Sequence, residues 1–164
     1  MNLRIGNGFD IHRFSDDASR PLVLGGVTLA GERGLEGHSD ADVVTHAVAE
    51  ALLGAAGLGD LGTHFPDTDE QWRGAVSTEL LSHVVSLLHA AGWTVVNVDC
   101  SVIAERAKLA PHRDQMQETL TGLVGGPVTV KGRRAEQIGG LGRGEGIMCL
   151  ASALLVADTT ETEA

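Results

Sequence analysis

Aromatic residues are scarce in this 164-residue chain: phenylalanine, tryptophan and tyrosine together make 3%, and tyrosine is absent. The core must therefore be built from Ala, Val and Leu. Cysteine is nearly lacking as well. Cys100 and Cys149 each sit in apolar, strand-like surroundings and read as small buried hydrophobes in a reducing compartment rather than as a disulfide, which points to a cytoplasmic address. No apolar run approaches the roughly 20 residues of a membrane span, and residues 2–8 lack the apolar segment of a signal peptide. Basic residues are outnumbered, 12 Lys and Arg against 22 Asp and Glu for a net charge of −10. That balance argues against nucleic acid or an anionic membrane surface as partner. No repeat or linker is visible, so the length fits one domain with a substantial core.

What basic charge there is clusters. Arg106, Lys108, Arg113, Lys131, Arg133, Arg134 and Arg143 fall in one segment with only Asp114, Glu118 and Glu136 against them. A locally basic segment on an acidic protein suits a small multi-anionic ligand; chance clustering on a solvated face is the alternative.

Strand and helix patterns alternate along the chain. Residues 4–14 read as a strand whose glycines mark a close backbone approach, and residues 21–29 as a hairpin bent at Gly25 and Gly26. From Asp40 onward Val43, Val44, Ala47, Val48, Ala51, Leu52 and Ala55 recur at helical spacing, with Ser39 expected as the N-cap and Asp42 in the first turn. Residues 58–62 and 65–69 read as acidic surface loops. A second helix is expected over 77–91, stopped by Gly92, and a strand over 94–104 with Val96, Val98, Cys100 and Val102 on one face. Pro111 opens a third helix closed by Gly125 and Gly126. Residues 128–131 and 147–157 are the remaining strands, and 158–164 form a polar tail.

Three metal ligands can be assembled from this pattern. Asp10 and His12 are two apart and share a face of an extended strand; His46 lies one turn after Asp42 on the first helix. One carboxylate and two neutral imidazoles around Zn²⁺ leave about one positive charge and one open tetrahedral position, which suits an anionic oxygen such as phosphate. His38 and Ser39 lie beside the helix start, where free N–H groups favour anions. The glycine-rich segment 139–146 adds flexible backbone with Arg143 within it, Lys131, Arg133 and Arg134 precede it, and Glu136 is placed to hold a second divalent ion. With no His-Glu-x-x-His motif or serine nucleophile elbow, phosphoryl chemistry is favoured over peptide hydrolysis.

The motifs Gly-Phe-Asp-Ile-His-Arg-Phe (8–14), Gly-His-Ser-Asp-Ala-Asp-Val-Val-Thr-His (37–46), Leu-Gly-Asp-Leu-Gly (58–62), Phe-Pro-Asp-Thr-Asp (65–69) and Gly-Arg-Gly-Glu-Gly (142–146) occur in this order. In order and spacing the chain resembles the 2-C-methyl-D-erythritol 2,4-cyclodiphosphate synthases of the non-mevalonate isoprenoid pathway, to about Ala157. The resemblance implies an α+β fold: a single compact domain over 1–157, a mixed sheet of about four main strands with helices on one side, and assembly into a homotrimer with active sites between subunits. It implies that Asp10, His12 and His46 bind Zn²⁺, that His38 and Ser39 contact the substrate phosphates, and that His38 stabilises the transition state. Asp60, Leu61 and Gly62, with Phe65, Pro66, Asp67, Thr68 and Asp69, match loops that hold the erythritol hydroxyls. Ala104, Lys108 and Ala110 match the loop that takes the cytidine from a neighbouring subunit, and Glu136 matches the carboxylate for Mg²⁺ or Mn²⁺ between the α- and β-phosphates. Lys131, Arg133 and Gly140 are expected to adjoin the substrate, and Arg143 matches a residue at the trimer's central cavity, where isoprenoid diphosphates can bind.

The implied reaction is an intramolecular phosphoryl transfer that closes a cyclic diphosphate and releases CMP. The chain departs from the family pattern where Arg133-Arg134-Ala135-Glu136 replaces the usual Thr-Thr-Thr-Glu, which puts Arg134 in the place of a transition-state threonine. Gly140 also stands for a usual phenylalanine, Ala107 for a proline and Val76 for an aspartate. A non-catalytic zinc-binding trimer that binds isoprenoid diphosphates is the second reading, and a metal-dependent phosphohydrolase on the same scaffold the third.

Overall fold

A computed structural model describes residues 2–66 and 68–158. Strand β1 spans Leu3–Arg13, β2 Pro21–Leu24 and β3 Val27–Arg33; helix α1 follows at Val43–Ala56, a single turn α2 at Leu61–His64 and a 3-10 turn at Glu70–Trp72. Then come α3 (Ser77–Ala90), β4 (Trp93–Ile103), α4 (Arg113–Val124), β5 (Val128–Arg133), the short α5 (Gly139–Gly142) and β6 (Gly146–Ala157). Four strands form one sheet in the order β1-β6-β4-β5, and β2 and β3 form a separate hairpin. β1 and β4 each run antiparallel to β6, while β4 and β5 are parallel. The parallel pair is joined through α4, as parallel neighbours require. The expected mixed sheet of four strands in an α+β domain is what forms. Of the expected tail, Asp158 alone is among the described residues, and no described helix is long and apolar enough to cross a membrane.

One face of the sheet is covered. On β1 the buried positions are Gly6 and Gly8, and their size explains how α1 can lie against them. A Cβ at Gly6 would come within 2.1 Å of the Ala51 carbonyl oxygen and one at Gly8 within 2.0 Å of the Ala47 carbonyl oxygen. The glycines let helix backbone touch strand backbone, so Asp10 on β1 and His46 on α1 start from a short separation. The core between sheet and helices is Ala, Val and Leu, with Leu52, Leu81, Leu88, Leu120 and Leu155 fully buried. The other face is bare and carries an apolar patch on β1 and β6: Ile5 is 79% exposed, and Phe9, Ile11 and Leu150 are exposed beside it.

Two local expectations are corrected. Helix α1 begins at Val43 with Asp42, not Ser39, as N-cap; the Asp42 carboxylate accepts from the Val44 and Thr45 amides. Ser39 Oγ instead accepts from the Ala41 amide at 3.1 Å in a local turn, and Ala41 takes a left-handed φ of 58° that interrupts any helical path before residue 42. In β4 a bulge between Val95 and Asn97 resets the alternation. Val95 is buried and Val96 exposed, while Val98, Cys100 and Val102 keep the inward face.

Candidate metal centre and its pocket

The alternation of β1 turns Asp10 and His12 toward α1, and the first turn of α1 brings His46 to meet them. Asp10 Oδ2 lies 2.9 Å from His46 Nδ1 and 3.3 Å from His12 Nε2. One ligand atom from each residue falls within 4.8 Å of the other two, the one such trio of His, Cys, Asp or Glu found among the described residues. Metal–ligand bonds of 2.0–2.1 Å in a tetrahedron put donor atoms about 3.4 Å apart, so this donor set fits a divalent cation with little movement. His12 Nδ1 donates to the Glu36 carbonyl oxygen, which leaves Nε2 facing the centre. Burial pushes the Asp10 carboxyl up, but the hydrogen bonds and charges of His12 and His46 outweigh it and hold it down at about 2. Burial likewise pulls His12 down, and its hydrogen bond and ion pair with Asp10 win, so its pKa is raised. The trio without metal is thus held together by charge that a cation would replace.

These ligands floor a cavity of about 250 Å³ that His38, Ser39, Leu61, Gly62 and Phe65 also line. His38 Nε2 is buried without a hydrogen-bond partner, a polar atom whose hydrogen-bonding capacity the described residues leave unmet. Sequence reasoning missed Glu50, Trp72, Leu80 and Phe9, which line the same cavity. Glu50 accepts from the Leu61 amide at 3.0 Å and so ties α2 to α1. It stands four residues after His46 in an otherwise apolar run, a signal that was there to read. Trp72 packs edge-on against Phe65, ring centres 5.0 Å apart, and its Nε1 is also buried without a partner.

The other expected site residues are spread over the molecule. Asp60 caps α2, accepting from the Thr63 amide and hydroxyl, both at 2.7 Å, and Asp69 caps the 3-10 turn through the Gln71 amide. Both acidic loops thus carry short helical turns. Pro66 and Thr68 adjoin the cavity's rim in sequence but do not line it, and Asp67 lies outside the described residues. Ala104, Lys108, Ala110, Arg133 and Arg134 converge on a second cavity of about 440 Å³ between the ends of β4 and β5, shaped by residues separate from those of the first. Lys131 does not join it: its ammonium pairs with Asp99 on the uncovered sheet face. Glu136 is exposed with a left-handed φ of 52° and does not belong to the metal trio. Gly140 lines a third cavity, of about 290 Å³, beside Ile11 and His12, while Arg143 Nε donates to Glu145 at 2.6 Å. Cys100 and Cys149 are buried free thiols; the neighbouring Cys100 thiol and burial hold Cys149 above the usual thiol range, and burial keeps both away from any ligand in the cavities.

Fold and site define an α+β domain with a small pocket opening directly onto three side chains able to hold a metal ion. The YgbB family model matches residues 3–156. Among curated relatives, the 2-C-methyl-D-erythritol 2,4-cyclodiphosphate synthase of Burkholderia lata is 52% identical over 95% of this chain and 98% of its own length. That of Laribacter hongkongensis is 51% identical over 94% and 96%. The chain belongs to this family of cyclodiphosphate synthases. Among solved structures, Plasmodium falciparum IspF in complex with CDP superposes with a TM-score of 0.83 at 30% identity, covering 96% of this chain and 98% of that one. The bifunctional IspDF of Campylobacter jejuni gives a TM-score of 0.90 at 38% identity, covering 95% of this chain and 42% of that one.

Proposed function

We infer that the chain is a cyclodiphosphate synthase that converts 4-diphosphocytidyl-2-C-methyl-D-erythritol 2-phosphate to 2-C-methyl-D-erythritol 2,4-cyclodiphosphate and CMP. The observation that carries this reading is the meeting of the Asp10, His12 and His46 ligand atoms with His38 and Ser39 on one cavity, in a chain whose relatives bear that activity in their names. An oxygen of the 2-phosphate attacks the β-phosphorus, a ring P–O bond forms, and the bond to the CMP oxygen breaks. Such a transfer needs alignment and charge compensation more than covalent help from the protein.

The chain's own residues supply the alignment. A cation held by Asp10, His12 and His46, assigned as Zn²⁺ from its one-oxygen, two-nitrogen donor set, contributes positive charge at the phosphoryl group when bound. His38 and Ser39 line the same space, and by resemblance both hold phosphate oxygens. Leu61, Gly62 and Phe65 wall the part of the cavity that receives the erythritol chain. By resemblance, Glu136 holds Mg²⁺ or Mn²⁺ against the diphosphate. Arg133 and Arg134 provide cationic charge where the family commonly has threonines, and Ala104, Lys108 and Ala110 receive the cytidine in the second cavity. Because two separate cavities must serve one substrate, we assign the active form as a homotrimer in which the bare sheet face of Ile5, Phe9, Ile11 and Leu150 is buried. Each first cavity then opens toward a neighbour's second. Arg143 then faces the trimer's centre, where an isoprenoid diphosphate would bind. We take residues 1–157 as the synthase domain with 158–164 appended, and place the protein in the cytoplasm, as its buried free thiols suit a reducing compartment.

The test is turnover of the cytidine-diphosphate substrate by metal-analysed protein with Mg²⁺ or Mn²⁺ present. CMP release with a cyclic product by phosphorus NMR is expected, abolished in Asp10→Asn and His46→Ala. A linear product would replace this reading with phosphohydrolysis. Metal-replete protein that binds isoprenoid diphosphate without turnover would replace it with the non-catalytic trimer.

A further inference from the structure

We propose that Ser77 and Asp40 are positioning residues for the metal centre, forming a relay that fixes which nitrogen of His46 is free to take the metal. The proposal rests on the reading of Asp10, His12 and His46 as metal ligands. His46 Nδ1 faces Asp10, and on the other side of the ring His46 Nε2 lies 2.8 Å from Ser77 Oγ. A serine hydroxyl has one proton, so its direction decides the matter. Ser77 Oγ also donates to the Asp40 carboxylate, whose oxygens accept. The hydroxyl proton therefore goes to Asp40, Ser77 Oγ is left to accept, and His46 Nε2 must carry the hydrogen. Nδ1, whose hydrogen bond to Asp10 Oδ2 a cation would replace, is then the nitrogen left to take the metal.

His12 has an equivalent arrangement in a simpler form, with the Glu36 carbonyl as a fixed acceptor for Nδ1–H. A hydroxyl alone would be ambivalent, and Asp40 removes the ambivalence. Among the described residues the other hydrogen-bonding group at His46 Nε2 is Ser39 Oγ at 3.3 Å, longer and not itself bonded to a carboxylate there, so Ser77 is the partner that sets the tautomer.

The same carboxylate has a structural role that must be separated from this one. Helix α3 begins after Val76, whose side chain cannot cap it. Asp40 Oδ2 accepts from the Ser77 amide at 3.1 Å and so supplies an acceptor from outside the helix. Thus α3 is held to the loop before α1 by the two bonds that orient Ser77, and Ser77 itself is 1% exposed. Acceptors behind metal-bound histidines change metal affinity by about 10–100-fold when removed.

The experiment titrates metal-free full-length protein with Zn²⁺ and with Co²⁺ against a chelator of known affinity and follows thermal unfolding on the same samples. Wild type is expected to bind one ion per chain, and Ser77→Ala about 10–100-fold more weakly. Ser77→Thr, which keeps the hydroxyl, should stay within about threefold of wild type, well short of that loss. Asp40→Asn is the sharper case. Its amide nitrogen can turn the Ser77 hydroxyl toward His46 and place the hydrogen on Nδ1, so Zn²⁺ affinity should fall as in Ser77→Ala. Val76→Asp added to Ser77→Ala gives α3 an ordinary cap and should restore the unfolding midpoint while leaving affinity low. If that double variant restores both, or if Ser77→Ala binds as wild type does, the relay is overturned. Nitrogen NMR of ¹⁵N-histidine-labelled, Zn²⁺-loaded wild type needs no variant: His46 must show its N–H at Nε2, and an N–H at Nδ1 overturns the proposal. Failure of wild type to bind metal at all would instead refute the metal reading beneath it.

Discussion

Asp42 is 0% exposed and carries five hydrogen bonds: from the Val44 and Thr45 amides, the Thr45 hydroxyl, and the Gly25 and Gly26 amides of the β2–β3 turn. One carboxylate therefore caps α1 and fastens the hairpin to it. Asp42→Ala strands those donors in the interior and should lower stability by about 3–5 kcal/mol, or about 10 °C in Tm for a chain of this size. Differential scanning calorimetry checks this. Asp10 and His12 set a pH dependence in the metal-free protein. Asp10 is depressed to about 2, so its contribution is complete above the ordinary carboxyl value of 3.8 and is lost as pH falls toward 2. His12 is raised above 6.5, so its contribution is complete below 6.5 and is lost as pH climbs through the raised value. Metal-free protein should accordingly be steadiest against urea between these limits and weaken on the alkaline side. His12→Gln should flatten that alkaline decline, and a urea midpoint measured across pH reads both.

At the scale of elements, the geometry of the centre depends on how closely α1 approaches β1. Gly8→Ala drives a methyl group into the Ala47 carbonyl oxygen at 2.0 Å and must push the helix off the strand. We expect a loss of about 3 kcal/mol or more, with weakened Zn²⁺ binding because Asp10 and His46 ride on the two separated elements. Gly54→Ala on the same helix is the contrast, since its nearest neighbour would be the Asn7 carbonyl oxygen at 3.8 Å. There alanine should stabilise by about 0.5–1 kcal/mol through helix propensity. Chemical denaturation of the two variants, alongside a zinc titration, separates crowding from propensity.

For the whole molecule, the bare face of Ile5, Phe9, Ile11 and Leu150 is a large apolar surface that a lone subunit would expose to water. Ile5→Lys with Leu150→Glu places charges in that face. The trimer we assign should dissociate to monomers in analytical ultracentrifugation, and CMP release should fall with it. Zn²⁺ binding should survive, because all three ligands come from one chain. Retained activity in a demonstrated monomer would remove the intersubunit site from the proposal.

The strand and helix order was legible because buried Val, Leu and Ala repeat at periods of two and 3.6 and glycine marks the stops. The pairing of Asp10 and His12 was legible for the same reason, since alternation puts both on one face. That His46 joins them was legible from its residue type and its place in the motif, not from spacing, since 34 positions separate it from His12. Tertiary structure decided the rest. Which residue caps α1 turned on Ala41's left-handed backbone and a hairpin turn far away in sequence. The inward face of β4 turned on a bulge that periodicity does not announce. Trp72, Leu80 and Ser77 reached the site from the 3-10 turn and α3, whose placement depends on contacts between distant segments and leaves no mark at any fixed spacing along the chain.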